Sequence, residues 1–137
     1  MEAPQKGYLF ETDEHRALRE QIRRFAAAEI ATNAHNWEEA NEFPRELYQA
    51  AAKAGFLGIG YPEELGGNGG DLTHVLVASE EMVLAGKSVG TLVGLGSLGI
   101  AIPPIVKFGT EEQKERFVHP ALTGDKISAL GITEPGG

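Results

Sequence analysis

The sequence predicts an all-α fold: an orthogonal helical bundle of about six helices, ending in one terminal β-strand that belongs to a following β domain. Three observations carry this prediction. Apolar residues recur at three- and four-residue spacing through most of the chain, as one buried face of a helix requires. Capping residues and glycines punctuate these runs where helices should start and stop. Only Ile127 to Thr133 reads as a strand, and a lone strand has no ladder partner, so its sheet is expected outside these residues. The corresponding division is a helical domain over 1–126 and the first strand and turn of a β domain over 127–137.

Residues 1–9 read as a polar arm with Pro4 and Gly7. Thr12 is an N-cap, with Asp13 and Glu14 in the first turn, where the helix dipole favours negative charge. Leu18, Ile22, Phe25 and Ile30 share a face, giving a helix over 13–33 that reaches toward Trp37. Its other side carries Arg16, Arg19, Glu20, Arg23 and Arg24 and reads as a solvated face. Pro44 opens the next helix, since its missing N–H costs nothing at the first position. Leu47, Tyr48, Ala51 and Ala52 form the inner stripe, and Gly55 ends the helix in a left-handed conformation.

Phe56 to Tyr61 is an apolar connector, and Pro62 to Gly70 is a turn-rich loop. Asp71 caps a third helix whose inner face is expected to hold Leu72, Val75, Leu76, Ser79, Met82 and Val83. Gly86 stops it, and Ser88 caps a fourth. That fourth helix, Val89 to about Ile102, is apolar on nearly every side and is expected to be buried all round. Gly90, Gly94, Gly96 and Gly99 run down it with Ser97. Each glycine lowers helix propensity by about 1 kcal/mol against Ala, so the run needs a packing or ligand reason. Pro103-Pro104 is expected to break the helix and start a short one to Phe108. Thr110 and Gln113 form a capping box that opens a helix to about Val118; His119-Pro120 should kink the chain before the turn at Leu122 to Asp125.

Composition narrows the function classes. Twelve basic against twenty acidic residues give a net charge of -8, which argues against nucleic acid, because phosphate binding draws on clustered Lys and Arg. There is no cysteine, so disulfides and thiolate metal sites are excluded. A content of 42% hydrophobic and 23% charged residues is that of a globular domain. No signal peptide is read at the N-terminus, and the apolar stretch Thr91 to Val106 is interrupted by glycines and prolines, so no membrane span is expected. A soluble, cytoplasmic protein is the expectation. The final Thr133-Glu134-Pro135-Gly136-Gly137 is an unfinished turn, which suggests a fragment.

The chemical motifs are few. Gly94-Leu95-Gly96-Ser97-Leu98-Gly99 is a literal G-x-G-x-x-G, but a dinucleotide site needs an unbroken helix next, and Pro103-Pro104 follows within four residues. Gly66 to Gly70 lacks the Lys-Ser/Thr pair of a phosphate loop. His15, His35, His74 and His119 are scattered, and the one Asp71-x-x-His74 lies at a helix cap, so no metal site is read. What remains is an apolar, glycine-studded helix suited to lining a greasy slot.

The order of segments says more. Tyr61-Pro62-Glu63-Glu64-Leu65-Gly66-Gly67, then Phe108-Gly109-Thr110-Glu111-Glu112-Gln113-Lys114, then Leu122-Thr123-Gly124-Asp125, then Ile132-Thr133-Glu134-Pro135-Gly136 resembles the acyl-CoA dehydrogenases in the family's order and spacing. Arg23-Arg24-Phe25 ahead of Pro44 fits as well, so the resemblance covers nearly the whole chain. It implies the N-terminal helical domain of an FAD-dependent oxidoreductase of fatty acid metabolism, which oxidises an acyl-CoA to a trans-2-enoyl-CoA. The family passes electrons to an electron-transferring flavoprotein and is commonly homotetrameric.

Carried over by position, the resemblance places Leu130, Ile132 and Thr133 at the flavin-contacting strand, with Leu130 where the family often has an aromatic. It makes Leu92, Leu95 and Ser97 wall residues of the acyl pocket. The family's general base is a glutamate of the C-terminal domain, so no catalytic residue is assigned here, and the isolated chain is expected to be inactive. The alternatives are an acyl-CoA oxidase or flavin monooxygenase relative, or a non-catalytic helical interaction module.

Overall fold

In the computed structural model, residues 8–137 are described, and most of the expected polar arm lies outside them. Helix α1 (Asp13–Phe25) starts at a capping box: the Thr12 hydroxyl accepts the His15 N–H, and the His15 ring accepts the Thr12 N–H. It runs on through a π-helical turn (Ala26–Ile30) and, after a short turn, into α2 (Ala34–Ala40), which a left-handed Asn41 ends. Pro44 sits just before α3 (Glu46–Lys53), one turn earlier than the first regular helical bond. Gly55 closes α3 with φ +79°. Phe56 N–H bonds the Ala51 carbonyl and Gly55 N–H that of Ala52, the reciprocal pair that satisfies orphan carbonyls at a left-handed C-cap.

The connector and loop that follow hold one parallel bridge, Ile59 to Gly69, and a single 3₁₀ turn, Glu63–Leu65. Helix α4 (Leu72–Gly86) begins at a second capping box, Asp71 with His74, and ends on a left-handed Lys87. Ser88 caps α5 (Val89–Leu95) by accepting the Thr91 N–H. Helices α6 (Leu98–Phe108), α7 (Glu111–Gln113) and α8 (His119–Leu122) complete the chain, with a π-helical turn (Lys114–Val118) between the last two. The Thr110–Gln113 capping box forms as expected.

Helices α1 and α4 lie side by side and run in the same direction: His15 meets His74, Arg19 meets Glu81, and Gly86 packs on Ala26 and Ile30. The core forms where this pair meets α3, α5, α6 and α8, around Ile22, Ile30, Leu47, Met82, Leu95, Ile102, Val118 and Leu122. Burial of these side chains is the main force holding the domain together, at about 1.5–3 kcal/mol each.

Several expectations need correction. Arg19 is not on a solvated face but buried, because α4 brings Glu80 and Glu81 against it. The buried face of α4 holds Val77, Ala78, Glu81 and Met82, while Leu72 is 82% exposed. Apolar residues run almost all round α4, so periodicity gave no unique face, and the Arg19–Glu81 pair sets the rotation.

The apolar stretch Val89–Phe108 is long and apolar enough to cross a membrane by length and composition alone. It is nonetheless two helices, broken at Gly96-Ser97 and not at Pro103-Pro104, which lie inside α6. It buries one side only, through Thr91, Leu95, Leu98 and Ile102, and leaves Val93 67% and Ile100 59% exposed. His119-Pro120 starts α8 without ending the helical path, since proline is tolerated in a first turn. Residues 127–133 form no strand among the described residues. They pair with no other described segment, and the strand expected there belongs to a sheet of other residues.

Candidate functional site

The helix break at Gly96-Ser97 opens a cavity of about 410 Å³. Its walls come from the connector (Phe56, Leu57, Ile59, Tyr61), from α4 (Val75, Ala78), and from α5 and α6 (Leu92, Leu95, Leu98, Pro103, Val106). Nearly all of these are apolar, and the volume lies within the range of small-molecule sites. Two tyrosines tie the helix break in place. Tyr48 donates its hydroxyl to the Gly94 carbonyl at 3.2 Å, and Tyr61 donates to the Leu98 carbonyl at 3.4 Å. Burial pushes both phenols above their ordinary pKa, with a Ser97 contact partly offsetting the effect at Tyr48, so both stay neutral donors.

The glycines of α5 have a packing reason. A Cβ on Gly94 would stand 2.6 Å from Phe43 Cε1, and one on Gly90 would stand 2.9 Å from Glu38 Oε1. Their absence lets the α2–α3 segment close on α5. A second, more polar hollow of about 520 Å³ lies beside that contact, between Trp37, Phe43, Tyr48, Thr91 and Ile127. Glu38 accepts the Ser88 hydroxyl there at 2.7 Å.

Of the six residues singled out from the sequence, the fold brings Leu92 and Leu95 together on the cavity wall. Ser97 is not on that wall; its hydroxyl donates to the Ser128 carbonyl at 3.0 Å and pins the outgoing chain to the start of α6. Leu130 and Ile132 are 53% and 73% exposed, and Thr133 is exposed as well. Sequence reasoning missed Tyr48 and Tyr61 as clamps. Their only advance signal was an aromatic in a helix stripe and another beside a proline in an apolar connector.

Two polar clusters lie outside the cavity. Arg19 bonds Glu11 through Nε at 3.1 and 3.2 Å, Glu80 at 2.8 Å and Glu81 at 3.1 Å, while Arg23 shares Glu81 at 3.0 Å. The guanidinium of Arg19 holds the Glu11 carboxyl below its usual range. The hydrogen bond from Tyr8, with Arg19 beside it, does the same for Glu80. The other cluster joins His15, Asp71 and His74. The His74 ring beside it, with the His74 and Thr73 backbone N–H groups, holds the Asp71 carboxyl down at about 2. No spacing in the sequence could have shown it, since His15 and His74 meet only because α1 and α4 are parallel.

This architecture defines a class: an all-helical domain with an apolar slot walled by a glycine-rich helix pair. The chain belongs to the acyl-CoA dehydrogenase family, whose N-terminal domain matches residues 12–125. It is 39% identical over 125 residues to the mitochondrial long-chain specific acyl-CoA dehydrogenase of Rattus norvegicus, covering 91% of this chain and 29% of that protein. Among solved structures, a putative acyl-CoA dehydrogenase from Mycobacterium smegmatis superposes with a TM-score of 0.89 at 45% identity, over 95% of this chain and 34% of that one. An acyl-CoA dehydrogenase from Bacillus anthracis, complexed with FAD, matches with a TM-score of 0.76 at 30% identity, over 93% of this chain and 22% of that one. The chain therefore spans about a third or less of the length of these relatives.

Proposed function

We propose that this chain is the N-terminal helical part of an FAD-dependent acyl-CoA dehydrogenase, which takes the α-hydrogen of an acyl-CoA as a proton and the β-hydrogen as a hydride and leaves a trans-2-enoyl-CoA. The observation that carries the reading is the apolar cavity with Leu92 and Leu95 on its wall, in a chain of this family. It would exclude water from the acyl chain and orient it by shape, with the neutral Tyr48 and Tyr61 hydroxyls keeping the walls in place. Ser97 serves by fixing the segment that follows α8.

Leu130, Ile132 and Thr133 fit a flavin edge. They lie on an exposed segment that pairs with no strand among the described residues, and Thr133 adds a hydroxyl. Bound FAD supplies the hydride acceptor, and hydrogen bonds from such a segment favour its electron-rich reduced form. The general base is assigned to the remainder of the full-length protein, so the 137 residues alone are inactive in this reading. An electron-transferring flavoprotein as acceptor, a homotetrameric assembly and a cytoplasmic location complete the proposal.

The test is a visible spectrum of the full-length protein, washed free of unbound flavin, before and after anaerobic addition of acyl-CoAs from short to long chain. Oxidised-flavin absorbance that acyl-CoA bleaches is the expected result. A colourless full-length protein, or a flavin that no acyl-CoA bleaches, overturns it.

A further inference from the structure

The N-termini of the parallel helices α1 and α4 stand together, and each carries a histidine three residues past its cap. His15 Nε2 and His74 Nδ1 are 3.1 Å apart, His74 Nδ1 and Asp71 Oδ1 are 2.8 Å apart, and His15 Nε2 and Asp71 Oδ1 are 3.6 Å apart. A tetrahedral metal with bonds of about 2.0–2.1 Å sets its ligand atoms about 3.3 Å from one another, so the three atoms form nearly one face of such a site.

We propose that His15, His74 and Asp71 bind a borderline-soft divalent ion of the Zn²⁺ class, with water completing the coordination. Two imidazoles and one carboxylate are the donor set such ions prefer. Each imidazole also has within reach a group that could serve as the outer partner of a metal-bound histidine. His15 Nδ1 lies 3.0 Å from Thr12 Oγ1, so a proton there donates to the hydroxyl and leaves Nε2 free to bind. His74 Nε2 is buried and lacks a hydrogen-bond partner among the described residues. The Glu14 carboxylate stands 3.4 Å away on an exposed side chain and can close on it. With metal on Nδ1, the His74 proton sits on Nε2 facing that carboxylate, which accounts for the orphaned atom.

Asp71 and Glu14 supply the negative charge that offsets the two positive helix ends and the incoming ion. In binding, the metal displaces the Asp71 N–H from His74 Nδ1 and turns His15 Nδ1 from acceptor to donor. The site would then staple α1 to α4. Capping alone is the competing explanation of the same contacts, and three substitutions separate the two. Gln at the third helical position preserves a capping box, and Asn caps as well as Asp, so His15→Gln, His74→Gln and Asp71→Asn keep the caps and remove the ligands.

The experiment is calorimetric titration of Zn²⁺ into the purified protein at neutral pH, paired with histidine ¹⁵N spectra. One saturable Zn²⁺ per chain is expected, with His15 shifting at Nε2, His74 at Nδ1, and a higher thermal midpoint in excess Zn²⁺. Affinity should fall at least ~10-fold in each ligand variant, and remain unchanged in His35→Gln. The absence of a saturable event, or binding that survives both His74→Gln and Asp71→Asn in variants with native circular dichroism, overturns the assignment. The outcome is independent of the flavin reading.

Discussion

Replacing Arg19 with Met removes the centre of the network that joins the start of α1 to α4. Arg19 is buried, and so is the Glu11 side chain it holds. In the variant, Glu81 keeps Arg23 at 3.0 Å and Glu80 keeps Tyr8, but Glu11 retains only the Tyr8 N–H at 3.2 Å. Glu11 is therefore the stranded charge. Breaking a buried pair costs about 3–5 kcal/mol, and the partial exposure of Glu80 next to it favours the lower end, about 3 kcal/mol. A chain of this length has an unfolding entropy that turns each kcal/mol into roughly 3.5 °C, so Tm should fall by about 10 °C. Thermal unfolding followed by circular dichroism at pH 7 reads this directly. Adding Glu11→Gln to Arg19→Met should recover half or more of the loss, because it neutralises the stranded group. A loss under about 3 °C, or a double variant no more stable than the single one, would refute the reasoning.

Other outcomes follow from the same geometry. Because pairing with Arg19 lowers Glu11, and hydrogen bonding to Tyr8 and Arg19 lowers Glu80, their stabilisation is complete above the unfolded carboxyl pKa of about 4.3. It is lost as pH falls through the folded values; urea midpoints measured from pH 7 downward should drop below that point, and less steeply in Arg19→Met. Leu95→Ala empties a fully buried position on the cavity wall and should cost about 3 kcal/mol, read as a lower urea midpoint at unchanged m-value. Gly94→Ala puts a methyl 2.6 Å from Phe43 and should cost about 1–3 kcal/mol. Trp37 is the chain's single tryptophan and its ring lies 6.1 Å from that of Phe43, so its fluorescence should shift in this variant; an unchanged spectrum would contradict the packing.

The cavity and its neighbours show which parts of the site were legible. Leu92 and Leu95 were read as wall residues from the resemblance, and the fold puts both on the cavity. Ser97, read the same way, turns to the outgoing chain, where its hydroxyl donates to the Ser128 carbonyl. That break was expected at Pro103-Pro104, where proline removes two helical hydrogen bonds. The regular helix instead gives way at Gly96-Ser97, where the bonds tighten to i→i−3 and the Tyr48 and Tyr61 hydroxyls grip the Gly94 and Leu98 carbonyls on either side.

What the sequence determined by itself is local. The Thr12, Asp71 and Ser88 caps, the capping box at Thr110 and the left-handed stop at Gly55 each depend on residues within five positions, so they form where they were read. The all-helical class follows from these signals and the apolar spacing between them. The tertiary structure decided what depends on which helices meet. It buried Arg19 against carboxylates more than sixty residues away, rotated α4, brought His15 to His74, and closed a cavity between segments remote in the chain. A helix whose apolar residues run almost all round it, such as α4, carries no clear record of its buried face. Only the packing of α1 against it, with one guanidinium and three carboxylates to satisfy, selects it.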